Sequence, residues 1–214
     1  MNSNREDYLK VILEEGGMER LVQNRVLAEK LGVAGGSVSE MLIKLMEANL
    51  IEYTPYKGSK LTEKGISVCQ GIVRNHRLWE VFLIRHLKYS WREAHEEAHI
   101  LEHITTQRMS ARLDEFLNFP EVCPHGEYIP REKNSLINKV GLRSLTDLDK
   151  GEEGRLSKII EDGDLLDYIE GKGVQIGGKI KMLLKDEYEG PVTFEQSNKH
   201  ITISYKAANK MYVE

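Results

Sequence analysis

The segment spanning residues 24–62 admits few folds. Leu27, Ala28 and Leu31 recur at helical spacing and stop at Gly32, a residue able to take the left-handed conformation that ends a helix. A second helical period starts near Gly36 and buries Val38, Met41, Leu42 and Leu45, with the small polar residues Ser37 and Ser39 at its start. Residues 50–54, a turn over 55–59 and residues 60–62 then read as a β-hairpin carrying Lys57 and Lys60. Two short helices joined by a tight glycine turn, with a hairpin directly behind, make a winged helix-turn-helix. The apolar rear of the second helix packs on what precedes it, and its polar start is left to enter a DNA major groove. Gly36, Ser37, Ser39 and Glu40 are therefore candidate groove residues, and Lys44, Lys57 and Lys60 candidate phosphate contacts. At Glu40 a carboxylate can accept from a cytosine amino group. A further helix over about residues 5–15, with Tyr8, Leu9, Ile12 and Leu13 inward and Gly16-Gly17 as its stop, comes first.

From Lys64 the pattern is helical for a long way. Ile66, Cys69, Ile72 and Val73 share a face, but Leu78, Trp79, Val81, Phe82, Leu83, Ile84 and Leu87 are too many for one stripe. A helix apolar nearly all round is buried, here by a second copy of the chain, which implies a homodimer. Residues 91–119 continue as two helices, the second built on Met109, Leu113, Phe116 and Leu117.

Steps of three and four put His95, His99, Glu102 and His103 on one helical stripe, and His76 and Glu80 form a second i,i+4 pair. Imidazoles and carboxylates at this spacing can hold a divalent transition metal. A solvated mixed-charge face is the bland alternative. The density of His and Glu, with Asp7, Cys123 and His125 elsewhere, favours metal; Asp7 also suits a helix amino terminus through the dipole. Two rivals stand beside this reading. His95-Glu96-Glu97-Ala98-His99 matches the H-E-x-x-H of zinc-dependent hydrolases, though no substrate-binding strand precedes it. Alternatively the chain binds DNA and the His/Glu helix serves a non-metal effector or structure alone.

Pro120, Pro124, Gly126 and Pro130 break the helical pattern near residue 130. Short runs at 156–160, 174–184, 192–194, 200–204 and 211–213, with a brief helix at 165–169 and a turn at 206–210, then suggest a small β-barrel. A length of 214 residues accommodates two or three such domains, and a 40% hydrophobic content supplies their cores. No apolar run approaches the roughly 18 residues of a membrane helix. The amino terminus lacks a signal-peptide core, so a cytoplasmic location is expected. Two cysteines make no disulfide framework: Cys69 sits among Ile66, Val68 and Ile72 as packing, whereas Cys123-Pro124-His125-Gly126 sets a thiol two residues from an imidazole. A net charge of −4 excludes DNA binding by bulk electrostatics, so a local basic element or an ion offsetting the carboxylates must supply it.

In this order, wing, long helices, His/Glu helix and terminal barrel resemble the diphtheria toxin repressor family of metal-dependent transcriptional regulators. Within it the likeness is to the longer manganese- or iron-responsive regulators of Gram-positive bacteria. It covers essentially the whole chain. The carriers are Asn75-His76-Arg77-Leu78-Trp79-Glu80, the 95–103 stretch, Phe119-Pro120-Glu121-Val122-Cys123-Pro124-His125-Gly126 and Ile176-Gly177-Gly178. The resemblance implies a mainly α protein with a small β part. Its parts would be a winged-helix DNA-binding domain at 1–71, a helical dimerisation and metal-binding domain at 72–130, a linker at 131–145, and an SH3-like (FeoA-type) barrel at 146–214.

It also implies a cytoplasmic homodimer on double-stranded operator DNA, with no membrane and no organic substrate, repressing metal-uptake genes when metal is bound. Two metal positions per subunit follow: Asp7, Glu102 and His103 with His99, and Glu80, Cys123 and His125 with His76 and His95 close by. The barrel adds an acid to the second, Glu161 on the best alignment, with Asp162 and Asp164 as alternatives. Position 7 is Met in the iron type and Asp in the manganese type, so Asp7 leans to Mn²⁺ over Fe²⁺; Zn²⁺ can bind in vitro. Position 99 is Cys or Glu in those relatives and His here, and Lys10 replaces a carboxylate of the short manganese regulators.

Overall fold

The computed structural model describes residues 5–131 and 141–214, so most of the expected 131–145 linker lies outside the described residues. The chain divides into two compact units, one built on the described residues up to Asn75, the other on His76–Ile129 and the described residues from 141 onward.

In the first unit α1 (Arg5–Glu14), α2 (Asn24–Leu31) and α3 (Gly35–Glu47) precede the hairpin of β1 (Ile51–Thr54) and β2 (Gly58–Leu61). Gly32, at φ 64°, ends α2 and donates its N–H to the Ala28 carbonyl. Tyr8, Leu9, Ile12, Leu27, Val38, Leu42, Leu45, Ile51, Leu61 and Cys69 form one buried core, as the helical and strand spacing requires. Burial pushes the Cys69 thiol up to about 12, and its Sγ donates to the Leu9 carbonyl, so this cysteine is packing. The wing is sewn to the strand-like entry of α2: Val22 and Ser59 exchange both backbone hydrogen bonds. At Gly58, with φ 131°, a Cβ would come within 2.5 Å of the Val22 carbonyl, so only glycine allows the approach.

The helix α4 (Glu63–Leu87) begins in the first unit and ends in the second, where α5 (Trp91–Leu101) and α6 (Gln107–Phe116) follow. Ser90 and Glu93 close a capping box at the start of α5, and the Thr106 side chain caps α6. Trp79 Nε1 donates to Thr105 Oγ1 at 2.7 Å, and that hydroxyl donates to the Leu101 carbonyl, fixing the end of α5 against α4.

The carboxy-terminal part is a six-stranded antiparallel sheet in the order β3-β8-β4-β5-β6-β7: β3 (Arg143–Ser144), β4 (Glu153–Ile159), β5 (Lys179–Lys185), β6 (Val192–Gln196), β7 (Lys199–Ile203) and β8 (Met211–Val213). Irregularities between Leu156 and Lys158 and between Met182 and Leu184 curl it into an SH3-like shape. The core centres on Phe194, Leu156, Ile159, Leu166, Met182 and Met211. The expected strand over 174–184 starts only at Lys179, because Gly177 turns with φ 79°. The expected turn at 206–210 is largely a short helix, α8 (Tyr205–Ala208), capped by Ser204 and burying Ala207 and Ala208. Helix α7 (Gly163–Gly171) leaves β4 and packs on α5: Arg92 binds Asp164 and Asp167, and the Trp91 N–H donates to Glu170. No described helix is long and apolar enough to cross a membrane.

Phe194 is fully buried at the sheet centre. Phe194→Ala should cost roughly 3–5 kcal/mol, read as a lowered denaturant midpoint for loss of the sheet's structure.

Candidate metal centre

One carboxylate organises the second unit. Glu80, one helical turn after His76 on α4, is completely buried. Its Oε1 lies 3.0 Å from His76 Nε2, 3.1 Å from His95 Nδ1 and 3.3 Å from His125 Nδ1, and the His76 and His95 nitrogens are 3.2 Å apart. Neighbouring ligands around an ion with bonds of about 2.1 Å stand about 3.0–3.4 Å apart. The observed spacings are those of a coordination shell.

His76 and His125 are positioned by their neighbours. His76 Nδ1 lies 2.5 Å from Glu102 Oε2, so that nitrogen carries hydrogen and donates. In the neutral ring Nε2 is then a lone pair aimed at Glu80 and His95, which is tolerable only with a proton or a cation between them. The His125 ring meets Trp91 edge-on at 5.4 Å between centroids. The His125 carbonyl accepts from the Ile159 N–H at 3.0 Å, so the Cys123–Gly126 turn is bonded to the end of β4, two residues before Glu161. Gly126 has φ 89°, and a Cβ there would come within 1.8 Å of the Ser157 carbonyl. The turn therefore reaches the bulged strand only with glycine.

Glu161 Oε2 and Oε1 lie 3.9 Å from His95 Nδ1 and 3.8 Å from His125 Nδ1. Two donor sets result, His76–Glu80–His95–Glu161 and Glu80–Cys123–His125–Glu161, the atoms of each within 4.8 Å of one another. Among the described residues, Glu80 Oε2, both His125 nitrogens and Glu161 Oε1 are buried without a hydrogen-bond partner. Unpartnered buried ionisable atoms cost stability unless something binds them, so the donors fit a dication.

Electrostatics agree. Burial pushes the Glu80 carboxyl up, but His76 and His125 outweigh it and hold it well below the carboxylate range. Burial and then Glu80 push Glu161 up, yet the surrounding imidazoles bring it to about 2. Burial lowers His125 and Glu80 more than reverses this, leaving it well above the ordinary imidazole value. Burial and then Glu80 raise the Cys123 thiol to about 11.

The expected stripe is divided. Helix α5 ends at Leu101, and Glu102 and His103 lie in the turn beyond it. His95 joins the Glu80 centre, whereas His99 Nδ1 and His103 Nε2 lie 3.3 and 3.5 Å from Glu102 Oε1. The hydrolase reading falls here: His95 and His99 serve different groups, and Glu96 is exposed beside Arg92. Of the three acids considered for the barrel, Glu161 alone reaches the centre; Asp162 caps α7 and pairs with Lys210, and Asp164 pairs with Arg92. Asp7 is in the first turn of α1, in the first unit.

In that same unit Gly36, Ser37, Glu40 and Lys44 are exposed on α3, and Lys57 is exposed on the wing. Ser39 is half-buried, accepting from Asn24 Nδ2, which also donates to Tyr53 Oη; Lys60 is half-buried on β2. Sequence reasoning missed Arg92 and the Asn24–Tyr53 brace, and read Gly126 as a helix break without its close approach to Ser157. Only the glycine in its Pro-His-Gly turn gave a local signal.

Matches to family models divide the chain in the same order. The iron dependent repressor N-terminal DNA binding domain matches residues 1–59, the iron dependent repressor metal binding and dimerisation domain residues 62–131, and the FeoA domain residues 143–214. The chain belongs to the diphtheria toxin repressor family, whose members are metal-dependent DNA-binding transcriptional repressors and not enzymes. A manganese-dependent transcriptional repressor in complex with manganese is 31% identical, with a TM-score of 0.87 over 99% of each chain. ScaR with bound Zn²⁺ is 34% identical, with a TM-score of 0.81 over 99% of each chain. The iron-dependent repressor IdeR of Mycobacterium tuberculosis is 34% identical over 127 residues, 58% of this chain; the match spans about half, 54%, of that relative.

Ligation needs a neutral imidazole and a thiolate, so binding at this centre must expel protons. Without metal, the stability from His125 protonation is fully present below the ordinary imidazole value and is lost as pH rises through the raised folded value. The Glu161 contribution is present above the ordinary carboxylate value and is lost as pH falls toward about 2. Dication affinity should therefore rise with pH through the His125 titration, with proton release, in calorimetry run in buffers of different ionisation enthalpy. A pH-independent affinity would contradict this.

Proposed function

We propose that this chain is a cytoplasmic, homodimeric regulator that binds operator DNA in response to Mn²⁺ or Fe²⁺ and represses metal-uptake genes when loaded. The observation that carries it is the convergence of three imidazoles on the buried Glu80 carboxylate, in a chain with an exposed reading helix and wing. Family membership supports the DNA-binding reading, and exposed Leu87, Met109, Phe116 and Phe119 in the second unit support pairing with a second copy. Its domains would be residues 1–71, 72–130 and 146–214, with a linker at 131–145.

His76, Glu80, His95, Cys123, His125 and Glu161 would hold one ion. His99, Glu102 and His103 would hold another with Asp7, whose assignment rests on sequence resemblance. Nitrogen and carboxylate donors suit Mn²⁺ and Fe²⁺, with Mn²⁺ favoured by Asp7, and Zn²⁺ can occupy the thiolate-bearing set in vitro. When bound, the ion supplies positive charge against clustered carboxylates and rigid links between the segments that carry them. The chain does the rest. Glu102 fixes the His76 tautomer, and the reading helix offers Gly36, Ser37, Ser39 and Glu40 to the groove while Lys44, Lys57 and Lys60 face phosphates. An ion shifts DNA affinity only by preferring the DNA-competent arrangement.

Operator affinity should tighten at least about tenfold with Mn²⁺ over chelator, a coupling of about 1.4 kcal/mol or more. Asp7→Ala should abolish that gain while the protein stays dimeric by light scattering. Unchanged metal-stimulated binding by Asp7→Ala would reject its role.

A further inference from the structure

An open cleft of about 560 Å³ lies between the reading helix α3 and the wing, lined by Arg25 of α2, Ile43 and Met46 of α3, and Tyr53, Pro55 and Tyr56 of the wing. Resting on the DNA-binding reading above, we propose that this cleft seats one strand of the operator's sugar–phosphate backbone. Tyr56, Ile43 and Met46 pack on deoxyribose faces, and Arg25 pairs with a phosphate.

Position comes first. Each strand of a duplex separates the major groove from the neighbouring minor groove, so a protein with a helix in one and a hairpin beside it straddles that strand. The cleft is the space between those two elements, and Ser39 of α3 borders it. Its chemistry is complementary to such a strand, in which apolar sugar faces alternate with anionic phosphates. Ile43, Met46 and Tyr56 are large apolar side chains left exposed, and Arg25 is exposed beside them. The chain carries 34 acidic residues against 30 basic ones, yet among the described residues no carboxylate lines the cleft. The opening is also held at a set width. Asn24 Nδ2 on α2 donates to Ser39 Oγ on α3 at 3.3 Å and to Tyr53 Oη on β1 at 3.1 Å, tying together the three elements around it. Finally, Tyr56 sits against its own conformational preference. In a turn closed by the Lys57 N–H on the Thr54 carbonyl at 3.1 Å, it takes φ 65°, a backbone that suits glycine or asparagine. Its ring is fully exposed and adds nothing to the packing of the first unit, so its use is a contact outside the chain.

The probe is a duplex selected from a random pool by the full native chain with Mn²⁺. Affinity is measured across salt, and hydroxyl-radical cutting reads the exposure of each deoxyribose. Tyr56→Gly, which relaxes the turn, should weaken binding at least about fivefold, on the scale of a lost aromatic anchor. It should leave the salt slope unchanged and open to cutting a short run of sugars that the native chain protects, whereas Tyr56→Phe should keep both affinity and protection. Arg25→Gln should lower the slope of log affinity against log salt by about 0.9, the value of one phosphate contact. Both side chains are exposed, so their replacement leaves the core intact. Native affinity and sugar protection in Tyr56→Gly, or a native salt slope in Arg25→Gln, would overturn the seat and leave the DNA-binding reading standing. Enrichment of no duplex by the native chain would remove both.

Discussion

A carboxylate sealed from water has to be answered by positive charge, and Glu80 is answered by three imidazoles brought from three places in the chain. His76 comes from the same helix, His95 from the next, and His125 from a turn whose carbonyl is bonded to the carboxy-terminal sheet. That constraint explains the packing around it. Trp79 and Thr105 clamp the end of α5 to α4, Gly126 lets the Cys123–His125 turn lie on the bulged strand, and Arg92 with Asp164 and Asp167 draws α7 onto α5 beside Glu161. An uncompensated ion at such a depth costs several kcal/mol, so any cation that replaces the imidazole protons is strongly coupled to the geometry of this unit.

Glu102 joins the two groups of donors. One of its oxygens accepts from His76, and the other faces His99 and His103. A change at either group therefore bears on the orientation of a ring in the other, in the manner of carboxylates that stand behind metal-binding histidines. The chain as a whole is acidic, with a net charge of −4, and part of that charge is concentrated here. Under the proposed function, cation binding would serve two ends: ordering the helices and lessening the repulsion of a polyanion.

The winged helix was legible because its signals are local. Gly32 stops one helix, the apolar period of Val38, Leu42 and Leu45 fixes the face of the next, and a lysine-bearing hairpin follows. The residue types that converge on Glu80 and Glu102 were legible, but their grouping was not. A helical wheel places His95 with His99 and His103; it cannot show that α5 ends at Leu101, or that Glu80 draws His95 away. The choice of Glu161 over Asp162 and Asp164 was equally invisible, since it depends on Lys210 and Arg92 engaging the neighbours. Short β elements misled for the opposite reason: an apolar run from Val174 includes a turn at Gly177, and a polar stretch after Ser204 hides two buried alanines.

Thermal unfolding of the full chain with and without Mn²⁺, compared with Glu80→Gln, tests the central constraint most directly. A ligand that binds only the folded state raises the midpoint by mass action. A clear rise is expected for the native chain and, for Glu80→Gln, a rise at most as large as its remaining donor group sustains and smaller than the native one. An equal rise in both proteins would contradict the view that the buried Glu80 carboxylate organises a metal centre.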